Sequence, residues 1–408
     1  MERHGIRRTG LAAVAVLLLV ACGSGSDSSS SADRSPPEEY PDAITRHLAR
    51  LAAEERPVPR SAMPPRHLDA VTFPETLVPR ERIVSGGPPP DGIPPIDEPR
   101  FEPVSAVDWL TPDEPVMALV TDDAARAYPV RVLIWHEIVN DEFDGDPVLV
   151  SYCPLCSSGL AYDRRVGDDV LDFGTSGALF QANLVMYDRQ TESLWTQFDG
   201  RAVVGDRIGD ELDPIALATI SWREFADLHP GGDVLSQDTG FDKPYGQNPY
   251  TSYEERTDPV PGFFTGEADP TLPAFERIIG IESGDEAIAV QLRDLVDAGV
   301  VETTLDDRPI TVWHVAGTTS PLSGADFGEG ERIGSTEVYV SIVDGVETSF
   351  SPIGDGTFED EATGSTWTIL GAAVAGPAAG SRLEAVPHVD TFWFSWSTFY
   401  VDGVIVQP

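Results

Sequence analysis

Two stretches decide the fold: Val116-Met117-Ala118-Leu119-Val120-Thr121 and, 162 positions on, Ile278-Ile279-Gly280-Ile281-Glu282-Ser283. From these starts Val116 to Pro154 aligns with Ile278 to Ala316 without a gap, apolar position on apolar position. Asp123, Ala127, Arg131, Leu133, Val139, Pro147 and Val150 coincide with Asp285, Ala289, Arg293, Leu295, Val301, Pro309 and Val312. Further on, Trp195-Thr196 matches Trp367-Thr368, and Ser221-Trp222 with Phe225 matches Ser395-Trp396 with Phe399. Self-similarity at a long period marks repeated supersecondary units that bury their apolar faces against each other. The expected fold is therefore α+β and β-rich, with two pseudo-symmetric repeat units packed into one globular body behind a Pro-rich N-terminal segment.

Each unit reads as a short apolar strand (Val116 to Thr121; Ile278 to Ser283), an acidic turn, a second strand and a short helix (Val130 to Ile138; Leu292 to Ala298). Asp144-Gly145-Asp146-Pro147 is a hairpin signal before Val148-Leu149-Val150. Leu160 to Tyr162, Val170 to Phe173 and Leu184 to Tyr187 read as further strands, Gly174-Thr175-Ser176-Gly177 as a tight turn, and Trp222 to Leu228 as a closing helix. The carboxylates of Asp141 to Asp146 and Asp355 to Asp360 lack the alternating spacing of a calcium loop and read as hairpin turns.

Outward from the repeat, residues 1–22 have the layout of a lipoprotein signal peptide. Arg3, Arg7 and Arg8 precede the apolar run Leu11 to Val20, and Leu19-Val20-Ala21-Cys22 is a lipobox that would place a lipid on Cys22. Residues 23–39 form a Ser-rich tether, and 40–110 a helix around Pro41 to Glu55 followed by a Pro-rich wrapping segment. Unit 1 spans 111–237, a connecting loop or lid 238–274, and the degenerate unit 2 275–408. The expected location is outside the cytoplasm, on the outer face of the cell membrane. A formal net charge of −41 repels phosphate backbones, so nucleic acid is an unsuitable partner and membrane contact rests on the lipid. A small molecule or protein partner is left unnamed.

The two units also act as a control on each other, because both need the packing and only one needs the chemistry. His136 aligns with Ala298, Asn140 with Glu302, Cys153 with Val315 and Cys156 with Thr318. The polar and sulfur set thus belongs to unit 1 alone.

Cys153-Pro154-Leu155-Cys156 admits three readings. The first is a redox dithiol, Cys153 and Cys156 being the catalytic residues. A thioredoxin-like placement needs a helix after the pair, whereas Ser157 to Tyr162 reads as a turn entering a strand. The second is a metal knuckle in which Cys153, Cys156, His136 and Met186 form a soft set suited to copper or zinc. Against it, Met186 alternates with Leu184 as a core residue would, and His136 beside Trp135 can bond within its own helix. The third is a structural disulfide, whose short loop removes only about 2 kcal/mol of chain entropy. Asn140, Asn183, Asp188 and Gln197 are candidate supporting residues, joined by Lys243 and Tyr245 from the polar, aromatic segment Asp238 to Tyr253 that could cover the site. Two functions stay open: a metal or thiol-redox protein, and a non-catalytic surface module that binds a ligand or partner.

Trp135 to Asp141, Ser151 to Cys156, Phe173 to Gly177, Asn183 to Asp188, Ser193 to Gln197, Thr239-Gly240-Phe241 and Asn248-Pro249-Tyr250 together resemble the prokaryotic family known as domain of unknown function 3179. The resemblance runs from about Pro103 to the C-terminus. It implies that these positions are hallmarks and implies no activity. Ser157-Ser158 departs from it, since glycine is common after the second cysteine in that family.

Overall fold

A computed structural model describes residues 76–284 and 286–407. Signal peptide, Cys22, tether and the helix expected at Pro41 to Glu55 all lie outside these residues. Strand accounts for 42% of the described residues and helix for 10%, so the β-rich class holds.

The run that opens the repeat is strand Pro115–Val120, almost wholly buried, and it turns at Thr121 into Ala125–Pro129. Pro129 fixes an extended backbone and launches helix Val130–Leu133. That helix is shorter than the sequence pattern suggests, because the chain reaches a left-handed residue at Glu137 (φ 61°) and leaves as strand Ile138–Phe143. Asp144 and Gly145, both at positive φ, make the two-residue turn into Asp146–Cys153, which pairs in turn with Ser158–Asp163. Ala218–Ser221 lies antiparallel to the first strand, and Asp233–Leu235 parallel to the second. Phe173–Phe180, Asn183–Asp188, Leu194–Thr196 and Arg201–Val204 form an antiparallel meander.

The second half follows the same order. Arg277–Ser283 pairs with Glu286–Gln291, helix Leu292–Ala298 follows, and Val300–Leu305, Arg308–Val315 and Ser335–Val340 continue the eight-stranded sheet that holds Ala218–Ser221, Pro115–Val120 and Ala125–Pro129. His388–Phe392 lies antiparallel to the first of these strands and Val404–Val406 parallel to the second. Phe350–Gly354, Thr357–Asp360, Thr366–Thr368 and Ala373–Ala375 make the second meander. The two halves meet where Thr219 pairs with Thr336 and where the end of His388–Phe392 reaches the cysteine loop.

Gly174 to Gly177 is not a turn. It lies inside strand Phe173–Phe180, whose register slips between Thr175 and Ala178 as a bulge. Gly174 is needed for space, since a Cβ there would come within 2.4 Å of the Tyr187 ring. The strand expected at Val170 to Phe173 divides at Leu171 and Asp172 into Asp169–Val170 and the start of this long strand.

Candidate functional site: a buried dithiol at a hairpin tip

Cys153 ends strand Asp146–Cys153 and pairs with Ser158, the first residue of the next strand, so Pro154 to Ser157 is the tip of a β-hairpin. No helix follows the pair. Ser157 takes a left-handed backbone (φ 56°), which accounts for the suitability of glycine there. Arg277 donates to its hydroxyl. Both cysteines are free and no more than 1% exposed. They approach to 3.2 Å, beyond the ~2.05 Å of a disulfide and within the hydrogen-bonding reach of sulfur. They share an apolar cluster with Leu184, Met186 and Trp195 of the first half and Trp393 and Trp396 of the second.

Cys156 sits in a polar nest. Asn183 Nδ2 donates to its sulfur at 3.2 Å, and the Ser158 hydroxyl lies at 3.0 Å. Gln197 organises both: its Oε1 accepts from Asn183 at 2.7 Å and from Ser158 at 2.9 Å, while its Nε2 donates to Ser151 and to the Ser158 carbonyl. Ser158 has one hydroxyl proton, so it donates either to Gln197 or to Cys156, and the choice follows the charge on sulfur. Burial alone would push the Cys156 thiol up, but hydrogen bonds from Cys153, Ser158 and Asn183 outweigh it and hold the thiol below its ordinary value. Cys153 moves the other way: burial, the hydrogen bond to Cys156 and its charge all raise it. The surroundings therefore favour loss of the proton at Cys156 and its retention at Cys153.

The segment 238–274 covers this tip. Tyr253 donates to the Leu155 carbonyl at 2.9 Å, and the Phe263 carbonyl accepts from the Ala182 amide, next to the carbonyl that faces the Cys153 sulfur. From the far half, the Thr391 hydroxyl donates to the Cys156 carbonyl at 2.7 Å, joined by the Phe392 amide.

The remaining candidates separate into other roles. Both ring nitrogens of His136 are engaged, Nδ1 donating to the Pro94 carbonyl and Nε2 accepting from the Tyr245 hydroxyl, each at 2.6 Å. Burial, with the Lys243 charge, lowers its pKa to about 4 against the opposing Pro94 bond. Lys243 and Tyr245 thus serve His136, and among the described residues no three His, Cys, Asp or Glu side chains form a metal-holding group. The four-ligand set of the metal reading is not assembled around the sulfurs, because His136 is held by two other partners. Asn140 clamps Phe173 through its backbone and bonds Asp97. Asp188 is a scaffold residue: it accepts from Thr191 and from the Trp195 indole at 2.9 Å, and in the second half Asp360 accepts from Thr363 and the Trp367 indole at the same distance.

Glu137, Ser158 and Thr391 belong to the site and were not picked out by pattern. Glu137 is 7% exposed and its pKa is raised to about 8, first by burial and then by the charge on Cys156.

Fold and site define a β-rich protein with a buried dithiol at a hairpin tip. Residues 90–403 match the family described as "Protein of unknown function (DUF3179)", and the chain belongs to it. No curated protein and no solved structure matches.

Proposed function

We propose that this is a lipid-anchored, extracytoplasmic thiol-redox protein made of two related units, of which the first keeps a reversible Cys153–Cys156 dithiol. The observation that carries the chemistry is the sulfur pair itself: two free cysteines 3.2 Å apart whose surroundings favour opposite protonation, one short movement from bond formation. Burial from bulk solvent suits a small oxidant or reductant better than a protein disulfide. Duplication is supported by the common strand order and by the Asp188 and Asp360 hydrogen bonds, and export and lipidation by the lipobox ending at Cys22.

Equilibrating anaerobically purified protein against graded thiol and disulfide buffers, then trapping free thiols, tests the chemistry. A single two-electron transition, lost in Cys153→Ser and Cys156→Ser, is expected. Stoichiometric copper or zinc that blocks thiol trapping and leaves with the same substitutions would instead assign the two sulfurs to a metal, and a pair that never opens would make it a structural clasp.

A further inference from the structure

Glu137 occupies a backbone position made for glycine. Its amide donates to the Leu133 carbonyl at 2.6 Å and its carbonyl accepts from the Tyr152 amide at 2.8 Å, with φ at 61°. In the second half Gly299 stands at the matched position after the matched helix: its amide donates to Leu295 at 2.7 Å, its carbonyl accepts from His314 at 3.0 Å, and φ is 75°. The half without cysteines thus uses the residue the backbone favours, while the half with cysteines carries a strained, buried carboxyl instead. The main chain gives no reason for that exchange, since the two backbones make the same bonds.

The main-chain bond from the Tyr152 amide sets Glu137 against the end of the strand that carries Cys153. Cys153 and Cys156 interact with it through charge, as does Tyr250 of the connecting segment. Tyr152, which bonds its carbonyl, faces Arg277, and Tyr253 closes the hairpin tip above the sulfurs. Lys243 acts on the neighbouring His136.

We infer that Glu137 is the proton-transfer group of the dithiol, giving a proton to the oxygen that leaves a hydroperoxide and then taking the proton of Cys153. The inference rests on the thiol-redox reading and adds a substrate class to it. The Cys156 thiolate attacks the terminal oxygen of ROOH, the O–O bond breaks, and Cys156 becomes a sulfenic acid. The departing RO⁻ takes the Glu137 proton and leaves as ROH. The Glu137 carboxylate next removes the Cys153 proton, and the Cys153 sulfur attacks Cys156, forming the S–S bond and expelling hydroxide. The sulfur pair has lost two electrons, the hydroperoxide has gained them, and Glu137 ends protonated as it began. Its raised pKa keeps the proton available at neutral pH.

The test follows disulfide closure with hydrogen peroxide by rapid quench and alkylation between pH 5 and 9, in wild type, Glu137→Gln, Glu137→Gly and Glu137→Asp. Closure about 100-fold slower in the glutamine and glycine variants, loss of the pH inflection set by the carboxyl, and partial recovery in the aspartate variant are expected. Glu137→Gly is also expected to melt above wild type, since it restores the residue of the matched position. Wild-type closure rates and pH profile in both Gln and Gly variants, or a glycine variant less stable than wild type, would overturn the role of Glu137 while leaving the dithiol reading intact. A wild-type pair that peroxide never closes would overturn both.

Discussion

His136 and Glu137 are consecutive, both buried, and burial favours the uncharged state of each. The imidazole pKa is lowered to about 4 and the carboxyl raised to about 8, burial being the first cause of both. Their effects on stability run in opposite directions. Below pH 6.5 the unfolded chain protonates His136 and the folded chain does not, so this residue's contribution is lost as pH falls from 6.5 towards 4. Above pH 4.5 the unfolded chain releases the Glu137 proton that the folded chain keeps, so stability is lost as pH rises towards 8. The two slopes offset each other in acid and leave the carboxyl's decline alone above pH 6.5.

Urea unfolding at pH 6.5 and 8 is therefore expected to show wild type losing about 2 kcal/mol through this carboxyl, and Glu137→Gln losing that much less. Equal pH slopes in the two proteins would remove the carboxyl from the account.

Asn183→Leu deletes the amide donor to Cys156 and to Gln197. Thiolate absorbance followed against pH is expected to show the Cys156 transition moved upward by about one unit, the worth of a hydrogen bond to a charged group. Reactivity towards iodoacetamide at neutral pH should fall about tenfold with it.

Asp188→Asn and Asp360→Asn disturb equivalent bonds to Trp195 and Trp367. Each is expected to cost about 1–3 kcal/mol in denaturant unfolding, the penalty for breaking a buried charged hydrogen bond. Only a role in the chemistry would make Asp188→Asn change the dithiol's midpoint potential, and no change is expected.

Tyr253→Phe removes the hydroxyl that ties the connecting segment to the Leu155 carbonyl. Alkylation of the cysteines is expected to accelerate severalfold, with no movement of the Cys156 thiol transition. A rate unchanged within error would mean that access follows another path.

The elements written in local chemistry were legible beforehand. Helix Trp222–Leu228 stands where the sequence predicts it, and the structure adds a reciprocal cap between Ser221 and Glu224 at its start. The strand after Cys156 is legible from the turn residues Ser157-Ser158-Gly159 ahead of the apolar Leu160-Ala161-Tyr162, and with it the absence of a helix behind the thiols. The sequence predicts a longer helix than Val130–Leu133 because apolar Ile134 and Ile138 continue its pattern, while the left-handed turn at Glu137 has no local signature. Gly174 looked like a turn residue, yet its missing side chain makes room for a ring thirteen positions on. The sequence leaves His136 open as a metal ligand because the partners that occupy it, Pro94 and Tyr245, lie 42 and 109 residues away. Glu137 was within reach: the same alignment that set Cys153 against Val315 sets this carboxyl against Gly299.

The hydrogen bond from Thr391 to the Cys156 carbonyl spans 235 residues, and the pairing of Thr219 with Thr336 crosses between the same halves. Neither half finishes its own construction, so a break of the chain between residues 256 and 270 would yield two fragments with raw edges. Expressed apart, they should be insoluble; mixed during refolding, they should reassemble and regain an intact thiol pair.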